Sequence, residues 1–75
     1  MELNPNLDFR ETFVEALAAS VRVRLHMRNG EALEGKVSAV ADHNVVIASL
    51  TGRELYDAVV RINDVSAIEI RARET

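Results

Sequence analysis

Three consecutive residues, Asp42-His43-Asn44, hold the only plausible chemistry in this chain. They put a carboxylate, an imidazole and an amide into one short polar break between apolar runs. The same composition also makes an ordinary turn, because Asp and Asn hydrogen-bond their own backbone and tolerate left-handed φ. The other histidine, His26, lies alone in an alternating segment and reads as a surface residue. Two histidines so far apart do not make a metal site, and the absence of cysteine excludes disulfides and cysteine-ligated zinc. Neither histidine has an acid or nucleophile at motif spacing. No catalytic residue, metal or cofactor is therefore assigned, and an enzyme is not expected.

The charge balance narrows the partners. The net charge of −3 argues against a generally basic, salt-driven nucleic-acid binder, though not against a small cationic pocket. Eight of the nine basic residues are arginine, which suits planar and bidentate contacts better than lysine does. At 75 residues the chain is expected to form one domain with a modest core. With no disulfide to help, the routes left to comfortable stability are oligomerisation and an unusually good single core. No apolar run approaches the ~20 residues of a membrane span. The start, MELNPNLDF, lacks a basic head and an apolar stretch. The expectation is a cytoplasmic protein with no membrane partner.

The elements that must carry the polar turn follow from periodicity. Residues 1–7 read as an arm, with Asn4-Pro5-Asn6 turn-like. Asp8 and Glu11 stand at capping-box spacing, so residues 8–19 are expected to be a capped helix. Phe9, Phe13 and Leu17 form one apolar stripe along it, too short to persist unless packed on strands. Residues 21–28 alternate strictly, with Val21, Val23, Leu25 and Met27 opposite Arg22, Arg24, His26 and Arg28. Asn29-Gly30 signals a hairpin of type I′, with positive φ at both residues. A second strand spans about 31–41, with Leu33, Gly35, Val37, Ala39 and Ala41 on one face. Gly35 inside it marks a bend, a bulge or a close backbone approach. Strands at about 45–50, 55–62 and 65–71 follow, with a loop at 51–54, a tight turn at Asn63-Asp64 and a charged tail at 72–75. The sum is a mainly β chain: an N-terminal α-helix followed by a strongly bent, five-stranded antiparallel small barrel. The fourth and fifth strands are its expected open edges, and pairing one with the other edge of an identical neighbour can close a ring.

Helix, strand order and hairpin together resemble the Sm-like family (Sm, LSm and bacterial Hfq proteins), an SH3-type barrel. The likeness covers roughly residues 8–71. Its first motif is matched by Met27-Arg28-Asn29-Gly30, Leu33, Gly35, Val37 and Asp42. Its second corresponds to Val60-Arg61-Ile62-Asn63-Asp64-Val65, where Ile62 replaces the family's glycine and the Hfq triplet Tyr-Lys-His is absent. The resemblance implies a six- or seven-membered ring that binds single-stranded, U-rich RNA around its pore, one base per subunit. Carried over by position, His43 stacks on the base, Asn44 reads its edge and Asp42 orients the turn. Arg61 supplies a cationic wall and Asn63 a further polar contact. Imidazole and guanidinium planes do stack on bases, and an amide can pair with a uracil edge.

Plainer readings stand beside these. Arg22, Arg24 and Arg28 are either an RNA-facing stripe or a solvated face paired with Glu31, Glu34 and Glu69. Arg61 equally suits an intersubunit salt bridge, and Tyr56 reads as packing or a rim hydrogen bond. The alternatives to an RNA-binding ring are the same ring as a structural or protein-interaction module, and a monomeric SH3-like or Tudor-like peptide binder.

Overall fold

The computed structural model describes residues 1–71; the expected tail at 72–75 lies outside them. The order is α1 (Phe9–Ala19), β1 (Arg22–Met27), β2 (Ala32–Val40), β3 (Asn44–Ala48), β4 (Ala58–Arg61), a 3-10 turn (Ile62–Asp64) and β5 (Val65–Ile70). The strands make one antiparallel sheet in the order β4-β3-β2-β1-β5, so the fourth and fifth strands are indeed its edges. No helix among the described residues is long and apolar enough to cross a membrane.

Helix α1 begins where the capping box places it. The Glu11 N–H donates to Asp8 Oδ1 at 2.8 Å, and the Asp8 N–H donates back to Glu11 Oε1 at 3.1 Å. The helix stops at Ser20, which takes a left-handed φ of 55°. The expected stripe is corrected, however. Phe13 and Ala16 are the fully buried residues, Phe9 is half-buried, and Leu17 is 37% exposed. The buried line of the helix runs through Phe13 and Ala16, one turn apart, and leaves Val14 and Leu17 on the outward side.

The sheet must curl. Crossing from β4 to β5 in a flat sheet spans four strand spacings, roughly 19 Å. Three residues of 3-10 helix advance only about 6 Å. Yet Ile62–Asp64 makes that connection. The two edges therefore come close at one end, and a barrel-like core forms between them from Val23, Leu25, Val37, Val45, Ile47, Val60 and Ile70, with Phe13 above.

Four local expectations are revised. The β1–β2 hairpin is not a two-residue type I′ turn. Met27 O accepts from the Gly30 N–H at 3.0 Å and the Met27 N–H donates to Glu31 O at 2.8 Å. Gly30 has φ +91°, whereas Asn29 is not at positive φ. This is the three-residue loop in which a left-handed glycine completes the turn, and Asn29 Oδ1 accepts from the Glu31 N–H at 3.0 Å. Strand β2 changes phase between Val37 and Ala39, where its register with β3 shifts. Val40 consequently turns toward the core, and Ala39 and Ala41 are exposed. Strand β3 begins one residue early, at Asn44, and ends at Ala48, with Ser49 at φ 53°. Strand β4 starts only at Ala58, because residues 50–57 close a loop of their own. In it the Leu50 N–H donates to Tyr56 O at 3.1 Å and the Ser49 N–H to Asp57 Oδ1 at 3.1 Å. Leu55 and Tyr56 are left exposed, with the Arg53 guanidinium 5.7 Å from the Tyr56 ring centre. Tyr56 therefore neither packs in the core nor makes a side-chain hydrogen bond among the described residues.

Gly35 marks close approach of another backbone. A Cβ there would lie 2.6 Å from Ala48 O and 2.7 Å from Ile47 Cγ2. Gly35→Ala is expected to cost about 1–3 kcal/mol, because β2 and β3 must part to admit the methyl group. Urea unfolding would read this as a lower midpoint at unchanged slope. An unchanged midpoint would show that the two strands separate there at no cost.

Candidate nucleic-acid interface

The polar turn lies at the end of the barrel where β2 passes to β3 and β4 passes to β5. The Ala41 N–H donates to Asn44 O at 2.8 Å, leaving Asp42 and His43 as the turn residues. The Ile62 N–H donates to His43 O at 2.9 Å, tying this turn to the 3-10 turn. Asn44, the first residue of β3, stands opposite Arg61, the last of β4. The bond from the residue after Arg61 to the residue before Asn44 makes this a non-hydrogen-bonded pair. Side chains of such a pair share one face and come closest, with Cα atoms about 4.5 Å apart. Asp42, His43, Asn44, Arg61 and Asn63 thus arrive at one end from two separate parts of the chain.

Within that end they divide three ways. Asp42 and Asn63 line an open cleft of about 430 Å³ with Phe9, Arg10, Arg28 and Ile62. Arg61 lines a second cleft of about 570 Å³ with Arg28, Leu33, Val59 and Asp64. His43 and Asn44 line neither and stand exposed beside them. Apart from Asp42, these five residues have no side-chain hydrogen bond or ion pair among the described residues. Their donors and acceptors are open to a ligand.

Asp42 does not brace its own turn. Its carboxylate faces Arg10 of α1 at 3.8 Å, and Arg10 Nε donates to Ala41 O at 3.0 Å. The helix therefore holds the turn through Arg10, a residue outside the five read from the sequence. Arg10 was hidden because the capping box fixes where the helix begins but not the angle at which it docks.

The arginine stripe of β1 resolves differently for each member. Arg24 faces Glu34 at 3.8 Å, and His26 pairs with Glu69. Arg22 bonds Ser49 O and Thr51 Oγ1 at 2.9 and 2.8 Å, so it braces the β3–β4 loop instead of pairing with a glutamate. Arg28 has left the stripe altogether and lines both clefts. Among the described residues no charged side chain is buried, so every charge at this end acts through solvent. No set of three metal-ligating side chains converges among them either. What the arrangement offers is a solvated surface of stacking planes, amides and guanidinium groups. Compared with known proteins, the chain matches no family model and no curated protein.

Proposed function

We propose that the chain is a subunit of an Sm-like ring of identical copies that binds single-stranded, U-rich RNA at the end carrying Asp42, His43, Asn44, Arg61 and Asn63. The observation that carries this reading is the bond between the Ile62 N–H and His43 O, with Asn44 opposite Arg61. It joins an imidazole, an amide and a guanidinium from two distant segments without any of them being used internally. In this reading His43 and Arg61 offer planes for stacking, and Asn44 discriminates the base edge.

Ring formation draws support from the edges. Among the described residues, strands β4 and β5 each have one free side, and Val59 on β4 is 71% exposed. A free edge with an exposed valine is a hazard for an isolated barrel and an asset for one that pairs with a neighbour. Edge-to-edge pairing of β4 with a neighbour's β5 is heterologous and closes on itself at a suitable rotation.

A second reading, the same ring as a structural module, is favoured by the carboxylates of the clefts. Asp8 and Asp42 line one cleft, and Glu31 and Asp64 line the other. Light scattering on the full chain, followed by titration with oligo-U and oligo-A at low salt, separates the readings. The proposal expects a mass several times 8.3 kDa and a preference for oligo-U. A monomer would overturn the ring. A ring that binds neither oligonucleotide would leave the structural reading in place.

A further inference from the structure

Resting on the RNA-binding reading, we infer that Arg28 contacts the phosphate backbone of the bound strand and supplies much of the salt-dependent part of its affinity. The inference begins with the hairpin. Strict alternation would put Arg28 on the face of Arg22 and Arg24. The chain instead turns at 27–30, and Gly30 takes the left-handed position. Arg28 therefore occupies the corner of the turn. Its backbone is pinned there, since its N–H donates to Asp64 O at 2.9 Å.

From that corner Arg28 lines both clefts, with Asn63 on one side and Arg61 on the other. Its position therefore spans the 62–64 turn between the candidate contacts of the two clefts. Its guanidinium has no ion pair or hydrogen bond among the described residues. The other arginines of the helix and β1 are all engaged: Arg10 with Ala41 O and Asp42, Arg22 with Ser49 O and Thr51, Arg24 with Glu34.

The nearby acids do not cancel it. Asp8 accepts from the Glu11 N–H, and Asp42 faces Arg10. Glu31 and Asp64 line the second cleft, yet neither comes within ion-pair distance of Arg28. Because the whole chain carries a net charge of −3, attraction for a polyanion must come from local, unpaired cations. A guanidinium suits a phosphate because it offers two parallel donors.

The test is oligo-U and oligo-A binding against salt concentration for the full chain and for Arg28→Ala, Arg28→Lys and Arg53→Ala. Arg53 sits on the loop at the opposite end of β3 and β4 and serves as a reference for removing one charge. Arg28→Ala is expected to weaken binding of both oligonucleotides by the same factor and to leave the preference for oligo-U intact. The slope of log affinity against log salt should fall by about 0.7 for each phosphate that the protein no longer neutralises. Arg28→Lys should restore most of the slope, and Arg53→Ala should match the unsubstituted protein. Two results would overturn the inference alone: an unchanged slope in Arg28→Ala, or a lost preference for oligo-U in that variant. Failure of the unsubstituted protein to bind either oligonucleotide would overturn the RNA-binding reading and this inference with it.

Discussion

Phe13→Ala is expected to cost about 3–5 kcal/mol of folding free energy, the range for truncating a fully buried phenylalanine. Phe13 is 0% exposed and is the only large side chain that α1 buries completely. Its partner on the same face, Ala16, is too small to hold the helix alone. A chain of 75 residues has a stability of roughly 4–11 kcal/mol on the usual per-residue scale. The substitution therefore removes a large share of it. Urea unfolding would show a strongly lowered midpoint, or an unfolded chain at 25 °C. Val14→Ala, on the outward face of the same helix, should shift the midpoint little. A Phe13→Ala midpoint close to the parent's would mean that the helix is not what covers the barrel.

The largest functional effect is expected for His43→Ala. Base stacking on an aromatic plane contributes about 1–3 kcal/mol per base, a five-fold to more than hundredfold change at a single site. In a ring each subunit carries the same substitution, so the loss compounds over every base the strand places. Oligo-U binding should become undetectable at concentrations that saturate the unsubstituted protein, while light scattering gives the same mass. Asn44→Ala should behave differently. Under the proposed reading Asn44 reads the base edge and does not stack, so its loss should bring oligo-U and oligo-A to similar affinity. Full retention of oligo-U affinity in His43→Ala would remove the imidazole from the binding site.

These expectations rest on features that were unequally legible in the sequence. The start of α1 was readable because Asp8 and Glu11 interact with each other over one turn, with no help from the rest of the fold. Gly30 and Gly35 were readable as special positions, since the turn needs a positive φ at one and a neighbouring backbone crowds the other. Their detailed roles were not, because the turn type depends on where Met27 finds its partner in β2. The phase change after Val37 left no mark on an apolar pattern that includes Ala39 and Val40 together. Leu55 and Tyr56 look like strand residues. What removes them from β4 is a set of hydrogen bonds from Ser49 and Leu50 to residues 56 and 57. Of the site, the polar turn itself was visible. The places of Arg10 and Arg28 were not, since one depends on how a helix docks and the other on a turn shifted by one position.

The pairing of β1 with β5 also has a kinetic side. Val23 is opposite Gly35 on one side and Ile70 on the other, so the first strand waits for the last before its second flank is filled. The hairpins β1–β2, β2–β3 and β3–β4 can each form from near neighbours along the chain. Closure by β5 must instead bring together segments from opposite ends of the barrel sequence, and loop entropy is lost before any new pairing compensates for it. Folding should therefore be limited by that last seam. A chain caught before the seam closes would expose the hydrogen-bonding flank of β1 beside that of β4, and mispairing between copies would begin from β1.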